Sequence, residues 1–295
     1  MKYTFKQFQQ QFPDDQACLL AIMNVRHGGT KLTCPGCGTV EAQFHPMTKR
    51  RAFACQECGH HIYPCAGSIF HKSSTKLTNW FFAMYLMTST RHGVAAKELE
   101  RQLGCTYKTA WRMAHELRKL MAAADGAKGP LSGHVEVDET LIGGVNAGQG
   151  QANYMANKTS LIGMLQRDGR VIAGPIPNRK AFILERAISR NVERGSTIST
   201  DEWVGYNNVG PMGYTHGTVN HFQDEWVKGI HHTNSIEGFW SQVKRSIRGT
   251  HVSVSRKHLW KYVSEFSYRR NMRTSHRAMF DLLMVSLSLP RLADS

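Results

Sequence analysis

Residues 134–138 read His-Val-Glu-Val-Asp, and residues 197–201 read Thr-Ile-Ser-Thr-Asp. In the first stretch Val135 and Val137 alternate with Glu136 and Asp138, the period of two expected of a strand with one apolar face. The second is short, β-branched and again ends on an aspartate. On this reading Asp138 closes one strand and Asp201 ends another. A lone carboxylate at a strand end commonly caps a turn. Two at the ends of neighbouring strands can share a divalent cation. Hard oxygen ligands suit Mg2+, which is typically held by one or two carboxylates together with substrate phosphates.

Working outward, Leu161 to Leu165 and Val171 to Ile176 flank Arg167-Asp168-Gly169-Arg170, a hairpin signature. Residues 181–192 are helical by period. Three strands, a helix, another strand and further helices predict an α/β domain. The segment Asn234 to Ile247 (NSIEGFWSQVKRSI) is an amphipathic helix. At 100° per residue Ile236, Trp240, Val243 and Ile247 share the face that would pack on the sheet, and Asn234, Glu237, Ser241, Lys244 and Arg248 share a polar face. Taken alone, that polar face reads as solvated, with charge partners four residues apart.

The spacing changes the reading. Thirty-five residues separate Asp201 from Glu237, and Lys244 follows seven positions later. This pattern resembles the catalytic signature of DDE transposases and retroviral integrases. The likeness extends to Val137-Asp138-Glu139-Thr140-Leu-Ile-Gly143-Gly144 and His232-Thr233-Asn234-Ser235-Ile236-Glu237-Gly238-Phe239-Trp240. Arg256-Lys257-His258-Leu259 and Glu265-Phe266-Ser-Tyr268-Arg269-Arg270-Asn271 continue it. These segments are similar to those of bacterial insertion-sequence transposases with N-terminal zinc ribbons, over about residues 15 to 275.

The resemblance implies a ribonuclease H-like catalytic domain (130–285) with a helical C-terminal extension. It implies that Asp138, Asp201 and Glu237 hold two Mg2+ ions, Mn2+ substituting, for two-metal cleavage of the element ends and strand transfer into target DNA. Some relatives use Asn at the third position; Asn234 lies one turn from Glu237 on the same face, and the anionic oxygen is the better Mg2+ ligand. Lys244, Arg245, Arg248, Arg256 and Lys257 would contact phosphate. The expected partner is double-stranded DNA, as terminal inverted repeats and target, bound by a homodimer or higher oligomer on the nucleoid in the bacterial cytoplasm. In one departure from relatives, the loop Val145 to Ser160 carries only Lys158 as a basic residue.

Upstream, Cys34-x2-Cys37-Gly38 and Cys55-x2-Cys58-Gly59 form two knuckles 17 residues apart, the pattern of a closed four-cysteine zinc site in an N-terminal region 1–72. Four protein ligands leave no open position, so this zinc is structural. Cys18 and Cys105 read as buried thiols. Gly93 to Leu120 reads as two helices joined at Leu103-Gly104-Cys105, a helix-turn-helix within an all-α region 73–124. Thr106 would cap the second helix, with Tyr107, Lys108 and Arg112 turned outward toward DNA. Ala122 to Pro130 reads as a linker.

The charge balance agrees with a polyanionic partner: 37 Lys+Arg against 22 Asp+Glu give +15. Ten basic residues and one acid lie between Lys244 and Arg277. The N-terminus lacks the apolar run of a secretory signal, and no apolar stretch reaches membrane-spanning length. A zinc-ribbon and helix-turn-helix regulator with a degenerate domain, and a nuclease on the same fold that cuts without joining, are the competing readings. The complete Asp138, Asp201, Glu237 and Lys244 set stands against the first, and the resemblance against the second.

Overall fold

Two knuckle turns organise the N-terminal module. Gly38 N–H donates to Cys34 O at 2.9 Å and Gly59 N–H to Cys55 O at 3.0 Å. Both glycines have positive φ, 75° and 73°, a conformation that a side chain opposes. The computed structural model describes residues 3–143, 158–220, 223, 225–274 and 276–293. Helices α1 (Phe5–Gln11) and α2 (Asp15–His27) precede an antiparallel sheet of β1 (Lys31–Leu32), β2 (Ala42–Pro46), β3 (Phe53–Cys55) and β4 (His61–Ile62), paired in that order. Cys34, Cys37, Cys55 and Cys58 bring their sulfurs within 4.8 Å of one another. Tetrahedral zinc, with Zn–S bonds of about 2.3 Å, sets its sulfurs close to ~4 Å apart. The four thiols therefore fit the ion.

Three helices come next: α3 (Leu77–Ser89), α4 (Ala96–Leu103) and α5 (Tyr107–Gly126). The chain turns between α4 and α5 at Gly104, whose φ is 59°. Thr106 Oγ1 accepts from Thr109 N–H at 3.4 Å, as its expected capping role requires. Leu99, Ala110, Met113 and Leu117 are fully buried. Helix α5 is longer than the sequence suggested. Ala122 to Gly126, read as the start of a linker, form its last turns, because alanine is the strongest helix former and Ala124 finds a buried position. Cys18 is buried as expected, whereas Cys105 is half-exposed.

By contacts the chain divides into two units, 1–124 with 272–295 and 125–271. The second is built on β5 (His134–Ile142), β6 (Thr159–Gln166), β7 (Val171–Ile176), β8 (Thr197–Asp201) and β9 (Thr215–Val219), with α6 (Ala181–Asn191), α7 (Asn234–Ser246) and α8 (Leu259–Asn271). The strand order is β7-β6-β5-β8-β9, antiparallel across β7-β6-β5 and parallel across β5-β8-β9. Two details differ from expectation. Strand β5 runs on to Ile142, so Asp138 sits mid-strand, and the polar strand β9 carried no apolar alternation by which to read it.

Both faces of the sheet are covered, as a partly parallel sheet requires. Val135, Val137, Ile162, Met164 and Ile198 point to one side, where Leu184 and Ile188 of α6 meet them. Leu161 and Leu165 point to the other, against Ile236, Phe239, Trp240 and Val243 of α7 and Val263 and Phe266 of α8. Gly163 lies beneath α7: a Cβ there would come within 2.6 Å of Trp240 Cζ2 and 2.8 Å of Ile236 Cδ1. A bare backbone at this point lets the helix press onto the sheet. Asn271, at the end of α8, accepts from Val171 N–H at 2.7 Å and donates to Val171 O at 2.9 Å, so the Arg-Arg-Asn motif fastens α8 to β7. Among the described residues no helix is long and apolar enough to cross a membrane.

Zinc removal tests the ribbon. Stripping the metal with a chelator, or replacing Cys55 by Ser, is expected to abolish amide-exchange protection in β2 and β3 while β5 and β8 stay protected. Unchanged protection in a metal-free ribbon would contradict a folding role for zinc.

Candidate active site

The pairing of β5 with β8 aligns the two aspartates. His134, Val135 and Glu136 lie across from Thr197, Ile198 and Ser199 in a parallel ladder. Carried two residues further, this register sets Asp138 level with Asp201. The period of two adds the second condition. Val135, Val137 and Ile198 fill the α6-side core, so Asp138 and Asp201 belong to the opposite face, where α7 packs. Glu237 stands in the first turn of that helix, its Oε1 accepting from Thr233 Oγ1 at 2.6 Å. Asp201 Oδ1 accepts from Trp203 N–H at 3.1 Å.

Beside them opens a cleft of about 860 Å³, bordered by Asp138, Glu139, Glu237, Ser241, Lys244 and Arg248, with Arg245 at its edge. Glu237, Ser241, Lys244 and Arg248 of the polar stripe thus line a cleft rather than face plain solvent. Asn234 is exposed, and neither it nor Asp201 is among the residues that border the cleft. Burial pushes the Asp138 carboxyl up to about 8, and the negative charges of Glu139, Asp201 and Glu237 push it the same way. Glu139 is also raised by burial, against a hydrogen bond from Tyr206 Oη at 2.5 Å, and Arg179 Nη1 lies 3.8 Å away. Like charges gathered this closely favour a bound cation, and their oxygens are the donors that Mg2+ or Mn2+ takes. They stand more openly than the thiols: among the described residues the four cysteines are the one set of three or more ligand-type groups with donor atoms all within 4.8 Å.

Two acidic residues carry more than the sequence reading gives them. Glu139 stands there only as part of a motif, without a role. Glu136 stands on a polar strand face, yet it is 0% exposed. Its Oε2 accepts from Ser235 N–H at 2.8 Å and Ile236 N–H at 3.1 Å, and its Oε1 from Arg167 Nε at 3.1 Å. The alternation holds; the polar face is covered because α7 lies on it. His232 Nδ1 is 3.1 Å from Glu136 Oε1 but off the hydrogen-bonding direction. Beyond Arg167, His134, Ser199 and His231 continue a polar chain with links of 2.7–3.1 Å. Burial and the Arg167 charge hold His134 down at about 4.

The remaining expected residues divide. Tyr107 is 48% exposed and Lys108 is exposed, but Arg112 is not turned outward. Its guanidinium sits 5.6 Å from the Trp80 ring and donates to Ser73 Oγ at 3.1 Å, because stacking on a buried indole shields it from water. Arg245, Arg248, Arg256 and Lys257 are exposed. The basic C-terminal stretch is less available than its count suggests. Lys261 is buried, Arg269 pairs with buried Glu265 at 2.7 Å, and Arg277 pairs with Asp281 at 2.8 Å and stacks on Tyr3. Of the loop Val145 to Ser160, residues 145–157 lie outside the described residues; Lys158 borders a second cleft with Lys244 and Arg248.

Residues 130–271 match the ISXO2-like transposase domain, and residues 13–61 match a transposase zinc-ribbon domain. No curated protein matches the chain. Among solved structures, a pre-cleavage Mos1 transpososome is similar at 12% identity, covering 67% of this chain and 75% of that one, with a TM-score of 0.28. The Mos1 strand transfer complex is similar at 13% identity, covering 59% and 70%, with a TM-score of 0.23. Neither likeness is close enough to decide function.

The raised Asp138 carboxyl has a measurable consequence. An unfolded aspartate titrates near ~3.9, below the folded value, so the metal-free fold carries this group's full contribution below that pH and loses it as pH rises toward about 8. Asp138→Asn, which cannot ionise, is expected to raise the melting temperature of metal-free protein at pH 8 by several degrees and to change it little at pH 4. An equal shift at both values would contradict an electrostatic origin.

Proposed function

We propose that this chain, which belongs to the insertion-sequence transposases with an ISXO2-like catalytic domain and an N-terminal zinc ribbon, cuts and joins DNA with Asp138, Asp201 and Glu237 as its metal ligands. As a DNA transposase it acts on phosphodiesters. The observation that supports the assignment is the β5/β8 register, paired as far as Glu136–Ser199; carried two residues on, it would bring Asp138 level with Asp201 on the face where α7 packs. The sheet order and its helix-covered faces suit the ribonuclease H-like reading of the domain.

The carboxylate set fits Mg2+ or Mn2+ by its hard oxygens, its clustered charge and its open spacing, which leaves room for phosphate. Divalent ions bound there supply an activated water or 3′-hydroxyl and offset charge on the leaving oxygen. The chain's own residues do the rest. Lys244 and Arg248, on successive turns of the cleft wall, hold the DNA backbone and set its register without reading sequence. Arg245, Arg256 and Lys257 extend that contact. The Asn234 side chain, exposed and a neutral amide, is the weaker choice for third ligand. In the helix-turn-helix reading of α4 and α5, Tyr107 and Lys108 approach the terminal repeats, while Arg112 braces the helix against Trp80. The protein acts as a dimer or larger assembly because two element ends must be handled together. The competing regulator reading predicts binding without cleavage, and the nuclease reading predicts cleavage without joining.

With DNA carrying the element's ends, wild type is expected to cleave and join in Mg2+ or Mn2+. Asp138→Ala, Asp201→Ala and Glu237→Ala should each lose roughly 10³-fold or more, the loss of several kcal/mol of charge stabilisation. Full activity in Glu237→Ala would overturn its assignment as a ligand. A separate binding titration tests the phosphate contacts: Arg248→Ala should flatten the slope of log K against log salt by about 0.9 at every DNA sequence tried. A sequence-selective loss instead would make Arg248 a base-reading residue.

A further inference from the structure

Helix α7 is capped in an unusual way. Its N-cap residue, Thr233, is of a type that normally turns its hydroxyl back onto the free N–H groups of the first turn. Here it makes no such bond; its Oγ1 donates to Glu237 Oε1 at 2.6 Å. The N–H groups it leaves, those of Ser235 and Ile236, are taken by Glu136 Oε2, reaching across from β5 at 2.8 and 3.1 Å. The other oxygen of Glu136 accepts from Arg167 Nε at 3.1 Å. Arg167, at the β6–β7 turn, also donates to Ile230 O at 2.5 Å and His232 O at 3.4 Å, gripping the chain just before the helix begins.

We propose that Glu136 is a positioning residue for the third carboxylate: it caps α7 from the sheet, frees Thr233 to orient Glu237, and with Arg167 fixes the point at which the helix meets Asp138. This rests on the reading of Glu237 as a metal ligand. Stability alone does not account for the arrangement. A carboxylate at 0% exposure carries a desolvation penalty that its ion pair need not recover, and an apolar side chain at 136 would fill the same core. What an apolar residue cannot do is hold a helix N-terminus at a fixed place. The geometry is economical in residues: Glu136 and Asp138 are two apart on one strand and point to one face, so the group that positions the third carboxylate and the first carboxylate itself move together. Groups of this kind, hydrogen-bonded behind a ligand, typically cost 10–100-fold in metal affinity when removed.

The test uses the full chain and Mn2+ alone, with free Mn2+ read by electron paramagnetic resonance in the absence of DNA. Wild type, Glu237→Ala, Glu136→Ala and Glu136→Gln are compared, each with its melting temperature. Glu136→Ala is expected to weaken Mn2+ binding by about 10–100-fold. Glu136→Gln keeps an oxygen for the two N–H groups but not the charge facing Arg167, and should recover part of that loss. In cleavage assays both variants should need more Mn2+ while losing less at saturating metal. A folded Glu136→Ala that binds Mn2+ as wild type does would overturn the proposal. So would failure of both variants to fold, which would make Glu136 a residue of the fold and not of the site. If Glu237→Ala leaves Mn2+ binding untouched, the ligand assignment itself fails. If Glu237→Ala weakens binding and the Glu136 variants do not, only the positioning role fails.

Discussion

Everything at the candidate site depends on three parallel residue pairs, His134–Thr197, Val135–Ile198 and Glu136–Ser199. A strand allots side chains to its faces by a period of two, so a slip of one residue would send Asp138 into the α6-side core and Val137 toward the cleft. The register is protected by burial: Val135, Val137 and Ile198 are 0% exposed, and any slip would cost their desolvation. Apolar residues on one face thereby fix polar residues on the other.

The opposite face has to admit a helix and still leave room for chemistry. Gly163 allows Trp240 and Ile236 to sit almost on the backbone of β6, directly across from Asp138 in the pairing of β5 with β6. The same closeness brings the first turn of α7 to the aspartates and excludes water from Glu136. An acidic cluster is costly by itself, and the raised Asp138 carboxyl reflects that cost; a cation held there would offset it. The zinc site solves the opposite problem: four thiols close on one point, with no space left for a substrate.

Much of this was legible in the sequence because it rests on periodicity and spacing. The Val135/Val137 alternation, the α7 stripe and the two glycine-terminated knuckles each follow from local rules. What was not legible depends on contacts between distant segments. Glu136 looks like a solvent-facing strand residue until α7, a hundred positions away, covers it. Arg112 looks outward-facing on a helical wheel, but Trp80 draws it in. Strand β9 (THGTV) lacks an apolar face of its own and forms because β8 offers it an edge. The basic run after Lys244 overstates the DNA-facing surface because charge alone does not reveal that Lys261 and Arg269 are buried.

The central claim is that Asp138, Asp201 and Glu237 meet to hold divalent cations. The most direct measurement is the anomalous scattering of Mn2+ in crystals of the full chain. Manganese peaks are expected between Asp138 and Asp201, with Glu237 within coordination reach of at least one ion. Manganese bound elsewhere, or absent from these carboxylates at saturating concentration, would contradict the claim.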